Sequence, residues 1–264
     1  MTALAPDPDR TCADTGFGLI AADAGIGWRV TKDAYVRTSG ITGVLINDRV
    51  GPLPAGKPDR RGRHDTLGRT VYFADAAKTA LAEVLQHFRV EVMSLAKDAI
   101  AIGMGVSDYQ QELTKEFHAR GLPGPGEVPV DWQLATSLYK VQLPANGWWV
   151  LIDCPPTLNA LSELMGGSAD QLTLGHVCGD NRALTTQLAQ VIRDSVLDDG
   201  SLPLGIVFPS KTAYGRCWAW WNRRADDNLN PASNDPKLID SYNVAVPELD
   251  EICRDWKLRL VGSP

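Results

Sequence analysis

The chain has 264 residues, 44% of them hydrophobic, and a mean hydropathy of -0.15, enough apolar material to bury a sizeable core as one large domain or two small ones. A formal net charge of -6 and a sequence pI near 5.2 argue against a broad nucleic-acid surface, because phosphate binding draws on clustered Lys and Arg. An anionic small molecule needs only a local basic pocket and stays open. The five cysteines, Cys12, Cys154, Cys178, Cys217 and Cys253, are scattered without a CxxC pair, so neither a disulfide framework nor a zinc ribbon is expected, and reduced thiols in a cytoplasm are. The first residues, MTALAPDPDRTCADTG, put acids and prolines where a signal peptide has its apolar core, and no apolar run approaches membrane-spanning length. Neither secretion nor a bilayer partner is expected.

Residues 1–24, rich in Pro, Asp, Gly and Ala without periodicity, predict a loose leader. GWRVTKDAYV (27–36) then predicts a first short strand and its exit. The stretch 47–69 is loop by its Gly and Pro and concentrates Lys57, Arg60, Arg61, Arg63 and Arg69, the densest positive patch of an acidic chain. TVYFA (70–74) alternates with period 2 as a strand does, and Asp75 is placed to cap the helix that follows. In that helix Ala77, Leu81, Val84, Leu85 and Phe88 form the apolar stripe. Glu83 lies nearly opposite, among Ala76, Thr79, Ala80 and His87. Taken alone, an acid so placed is ordinarily a solvated charge.

Residues 91–135 are mostly polar and broken by Gly and Pro, with one helix expected near SDYQQELTKEFHARG (107–121), as in an inserted region. LYKVQLPANGWWVLIDCPPT (138–157) predicts a β-hairpin turning at Asn146-Gly147, with Trp148 and Trp149 as packing residues. NRALTTQLAQVIRDSVLDDG (181–200) is an amphipathic helix. LGIVF (204–208) and GRCWAWW (215–221) are strands, 223–247 is an Asn/Asp/Pro-rich excursion, and WKLRLVG (256–262) is a closing strand. Strands interleaved with helices and hairpins, without a regular βαβ rhythm, predict an α+β fold: one domain over 25–264 with insertions near 91–135 and 223–247.

The chain has no GxGxxG dinucleotide fingerprint, Walker A loop, HExxH or GxSxG, which weakens dehydrogenase, P-loop and serine-hydrolase readings. His176, Cys178 and Asp180 in HVCGD lie too close in sequence, with no second ligand cluster, to predict a metal site. Trp28-Arg29, Gly62-Arg63, Val71-Tyr72-Phe73-Ala74, Ala80-Leu81-Ala82-Glu83 and Gly205-Ile206-Val207-Phe208-Pro209-Ser210, in that order and spacing, resemble the RES domain, named for its Arg, Glu and Ser. The resemblance spans roughly residues 27–222 with an unmatched middle. It implies a fold like that of the ADP-ribosyltransferases, a mixed β core with flanking helices. It further implies NAD+ as substrate rather than bound cofactor, and frequently the role of toxin in a toxin–antitoxin pair neutralised by a helical antitoxin. The family's Arg, Tyr, Glu and Ser positions carry over onto Arg63, Tyr72, Glu83 and Ser210, and its early arginine onto Arg29. His64-Asp65 stands where the family commonly has Trp-Asn, and Cys217-Trp218 where an Asn is often seen.

The residue types suit that chemistry. Breaking the nicotinamide–ribose bond develops positive charge on the ribose, as in glycoside cleavage, and Glu83 is the carboxylate to stabilise it. The guanidinium groups of Arg63 and Arg29 meet phosphate oxygens through charge-assisted hydrogen bonds. Tyr72 offers a flat face to the nicotinamide ring and a hydroxyl to its surroundings. Ser210 is expected to orient Glu83 or the ribose rather than to attack, since no His/Asp relay accompanies it. The expected catalytic residues are therefore Glu83, Arg63 and Ser210, and the substrate-binding ones Arg29, Arg63 and Tyr72. Three readings stay open: transfer to water or phosphate, transfer to a protein or nucleotide target, or a catalytically silent relative that binds a partner.

Overall fold

Alternation of side chains along each strand builds a sheet that is covered by apolar residues on both faces. The computed structural model describes residues 6–33, 45, 49–167 and 171–262. Strands β1 (Arg10–Thr11), β2 (Gly18–Ala21), β3 (Ile26–Lys32) and β4 (Thr70–Ala74) lead into helix α1 (Ala77–Leu85). Then come α2 (Val92–Ala101), α3 (Val106–Ala119), β5 (Glu127–Pro129), α4 (Val130–Leu134), β6 (Thr136–Gln142) and β7 (Trp148–Leu151). The remainder is α5 (Pro155–Leu164), α6 (Leu174–Cys178), α7 (Arg182–Asp194), β8 (Gly205–Pro209), β9 (Arg216–Trp221), α8 (Arg223–Asp226), β10 (Lys237–Asn243), α9 (Pro247–Trp256) and β11 (Arg259–Val261).

Nine strands form one sheet in the order β1-β2-β7-β8-β9-β4-β3-β6-β10. The β7–β8 pair is parallel and its other pairs are antiparallel. The molecule is thus α+β, a large mixed sheet flanked by helices. Phe208, Cys217, Ala219 and Trp221 face one core with Leu81, Leu85, Leu188 and Ile192 of α1 and α7. Val71, Phe73, Val207 and Trp220, one residue out of phase, face the other core with Trp149 and Leu151.

Five expectations differ from what is observed, four in the elements and one at a helix cap. The segment 10–21, expected in a loose leader, pairs with β7 through β2, with Phe17 and Leu19 fully buried; few polar–apolar alternations over such short strands left no periodic signal. The hairpin at Asn146-Gly147 does not form. Gly147 makes its turn at φ +109, but β6 pairs with β3 and β10 while β7 lies between β2 and β8, because a turn signal fixes only the local bend and long-range burial decides the partner. The segment 91–135 holds three helices, α2, α3 and the short α4, where one was expected, and its β5 pairs in parallel with β11. Within 223–247, β10 pairs along β6 as the sheet's edge; it is polar because an edge strand with an exposed face tolerates and uses polarity. The end of the first expected strand, residues 34–36, lies outside the described residues.

At the start of α1, Ala76 rather than Asp75 is the N-cap. Asp75 instead accepts from Thr79 Oγ1 at 2.7 Å and from the Arg216 backbone N–H at 2.8 Å, tying the helix start to β9.

Candidate functional site

A cleft of about 570 Å³ opens between the sheet and α1. Its floor is one row of cross-strand neighbours: Phe208 of β8 opposes Cys217 of β9, Cys217 opposes Ala74 of β4, and Ala74 opposes Trp28 of β3. Residues directly opposite in antiparallel pairs share a face, so four strands contribute one side chain each to the same surface, and all four line the cleft. The roof is a stripe of α1 and its exit, Ala80, Glu83, Val84 and His87, spaced i, i+3, i+4, i+7 as one helix face requires. Ala80 is buried and Glu83 half-buried. The helix thus has two covered faces, one on the core and one over the cleft, and Glu83 sits on the second.

Glu83 is held from across the chain. Ser210 Oγ donates to Glu83 Oε1 at 2.5 Å, over a sequence separation of 127 residues, and the Lys211 backbone N–H donates to the same oxygen at 3.1 Å. Thr212 Oγ1 lies 2.5 Å from Ser210 Oγ and completes the seat. Among the described residues Oε2 takes only a long 3.5 Å contact from Gln86 and keeps lone pairs for a ligand. Two donors on one oxygen fix the carboxylate's orientation, and the free oxygen is the one available for chemistry.

Arg63 is 7% exposed and lines the cleft. Its guanidinium lies over the Phe208 ring at 5.6 Å, and its Nε and Nη1 are buried with no hydrogen-bond partner among the described residues. Burial pushes its pKa down, and the nearby Glu83 carboxylate opposes that shift. The loop carrying it is fixed by the fully buried Asp65, which accepts from Tyr72 Oη at 2.8 Å, the Gly62 N–H at 2.8 Å and Arg61 Nε at 3.1 Å. Tyr72 Oη in turn accepts from the His64 N–H at 3.0 Å. A Cβ on Gly62 would collide with the Tyr72 hydroxyl and Asp65, so the tight approach of loop to strand requires glycine there.

The structure therefore brings together all five expected site residues, and it gives the hydroxyl of Tyr72 specific work among its surroundings. Its hydroxyl is committed to Asp65 and the loop backbone, and burial beside Asp65 raises its pKa well above 10. Its ring stands edge-on to Phe208 at 6.2 Å. Tyr72 is a strut beneath the arginine loop, although it also lines the cleft. Arg29 lines the cleft too, with Nη1 donating to the Tyr72 backbone oxygen at 3.1 Å.

Several cleft residues escaped the sequence reading. Phe208 carries Arg63, His64 and Tyr72 around its ring; period 2 from Ser210 could have put it on the same face. Arg182, Asp180, Lys211 and Arg49 also line the cleft. Asp180 pairs with Lys211 Nζ and lies 3.5 Å from Arg182 Nη1; the hydrogen bond from Lys211 lowers its pKa. No local signal marks Arg182, which reaches the cleft because the turn between α6 and α7 packs there. Five cations, Arg29, Arg49, Arg63, Arg182 and Lys211, face two carboxylates, Glu83 and Asp180. An acidic protein has concentrated positive charge in this cleft, which draws an anion.

Burial, then Glu83 and Asp75, push the Cys217 thiol pKa well above 9, which disfavours the thiolate that a nucleophile needs. All five cysteines are free. Among the described residues no group of His, Cys, Asp and Glu is placed to hold a metal ion; His176 instead closes a capping box with Thr173 at the start of α6. Among them, too, no helix is long and apolar enough to cross a membrane.

No protein-family model matches the chain, and no curated protein does. Among solved structures, the chain is similar to one from the M. tuberculosis MbcT–MbcA toxin–antitoxin complex, with a TM-score of 0.45 and 12% identity over 90% of this chain and 91% of that one. A likeness of that size carries no weight for function, which has to be judged from the cleft.

Proposed function

We propose that the protein is an NAD+-consuming enzyme that cleaves the nicotinamide–ribose N-glycosidic bond and passes the ADP-ribosyl group to water or phosphate. The observation that carries this reading is a carboxylate, Glu83, fixed by Ser210 and the Lys211 N–H, in a cleft it shares with Arg63, whose buried Nε and Nη1 have no partner among the described residues. A buried, unpaired donor costs about 1–3 kcal/mol, a cost that a ligand phosphate would offset.

In this reading the C1′–N bond breaks with its electron pair leaving on the nicotinamide nitrogen. Positive charge develops on the ribose beside Glu83 Oε2, which also accepts from a ribose hydroxyl, and the preorganised carboxylate stabilises it without reorganising. An oxygen of water or phosphate then bonds to C1′, and water gives up a proton in doing so. Arg63 and Arg182 hold the pyrophosphate. Ser210 has no histidine beside it and serves to orient Glu83. The motifs shared with the RES domain extend the proposal to a biological role, that of a toxin restrained by a small helical antitoxin.

The test is incubation of the purified protein with NAD+ while nicotinamide release is followed, with and without phosphate and with cell extract to supply other acceptors. Release is expected, and Glu83→Ala and Arg63→Ala are each expected to reduce it by about 10²-fold or more with unchanged circular dichroism. No release under any of these conditions overturns the reading, and wild-type rates in both variants overturn the site.

A further inference from the structure

The cleft has a neighbour. A second cavity of about 430 Å³ shares Val30, Val84 and His87 with it, so the two spaces abut along one edge of α1 and β3. The character changes across that edge. The second cavity has no acid in its walls; it is lined by Phe88 and Trp132, whose rings meet edge to face at 6.0 Å and 81°, and the His87 ring lies 3.9 Å from that of Phe88. At its base is Thr136, 2% exposed, with a buried hydroxyl that has no partner among the described residues. Lys32 stands exposed at the rim.

Aromatic walls, a spare hydroxyl and a rim cation suit a flat heteroaromatic ring with nitrogen acceptors on its edge. We infer that this cavity seats the adenine of a dinucleotide whose pyrophosphate and reacting ribose occupy the charged cleft, an inference that rests on the function proposed above. Of the two rings in such a ligand, adenine is the one that fits. The ring next to the breaking bond must lie beside Glu83, and Glu83 and Arg63 are in the walls of the first cavity and absent from those of the second.

Binding of AMP to the whole chain by isothermal titration calorimetry tests this. AMP is expected to bind the wild type. Trp132→Ala is expected to weaken it by about tenfold or more, and Trp132→Phe by no more than about threefold, since stacking tolerates the exchange of one ring for another. Where Trp132→Ala does not fold, intermolecular NOEs from the adenine protons of AMP to the Trp132 indole of the wild type give the same answer. Absence of AMP binding, equal affinity in a folded Trp132→Ala, or absence of those NOEs overturns the adenine seat, as does nicotinamide rather than AMP losing affinity in Trp132→Ala. The outcome is separable from catalysis: Trp132-dependent AMP binding without nicotinamide release sinks the reaction and keeps the seat, whereas release with unchanged AMP affinity in Trp132→Ala does the reverse.

Discussion

His64 stands next to the arginine that the cleft depends on, and it is fully buried against Phe208, ring centroids 4.5 Å apart. Both ring nitrogens lack a hydrogen-bond partner among the described residues. Burial, reinforced by Arg63 and Arg182, holds its pKa well below the usual 6.5. The unfolded chain therefore takes up a proton near pH 6.5 that the folded chain refuses. Its contribution to stability is complete above that pH and is lost as pH falls below it, by at most about 1.4 kcal/mol per pH unit. Urea unfolding at pH 7.5 and 5.5 is expected to show this loss, and His64→Phe, which keeps a ring against Phe208, to remove that share of it; identical pH dependence in the two proteins would count against the buried neutral imidazole. At this scale the sequence showed the residues better than their jobs. Arg63, Tyr72 and Glu83 lie within one short unit and were visible through its resemblance to the RES motifs, since helix spacing alone left Glu83 a solvated charge. That Tyr72 braces the loop depends on Asp65, whose burial no local pattern announces.

The β4–α1 unit was legible because both of its periodicities are local: period 2 in TVYFA and an apolar stripe in the helix. What periodicity missed was the second covered face of α1. Thr79 and Ala80 are buried as well as Leu81 and Leu85, and a small polar or alanine residue carries no hydrophobic signal of its own burial. The supposed hairpin failed for the converse reason, a strong local turn signal overruled by distant partners. Strand β8 shows the same dependence in its backbone. A Cβ on Gly205 would collide with the Ala219 backbone oxygen in β9, so the close pairing of these strands requires a residue without one. Gly205→Ala is expected to cost about 3 kcal/mol or more and to carry Ser210 and Lys211 away from Glu83. Urea denaturation and nicotinamide release should fall together, and a variant of full stability and full activity would show that the strands can separate at no cost.

Across the whole molecule, the arginine loop is clamped to elements far along the chain. Arg193 at the end of α7 donates to Asp226 of α8 at 2.5 Å and to Thr66 of the loop at 3.0 Å. Arg69 reaches Asp226 at 3.2 Å, and the Arg69 N–H donates to it at 2.9 Å. Asp226→Ala leaves the largely buried Arg193 without its carboxylate and is expected to cost about 2–4 kcal/mol, read as a lower urea midpoint; a midpoint unchanged from wild type would mean the clamp bears no load. None of this knot has a sequence signature, since each member is a polar residue in a loop or at a helix end. The seat for Glu83 has the same long reach, closing only when Ser210, 127 residues downstream, arrives. A chain still emerging from the ribosome carries Glu83 well before it carries the strand that orients it. If the finished protein destroys a metabolite its own cell needs, then synthesis itself supplies a delay, and an interval in which a partner made alongside can be waiting before the first copy becomes active.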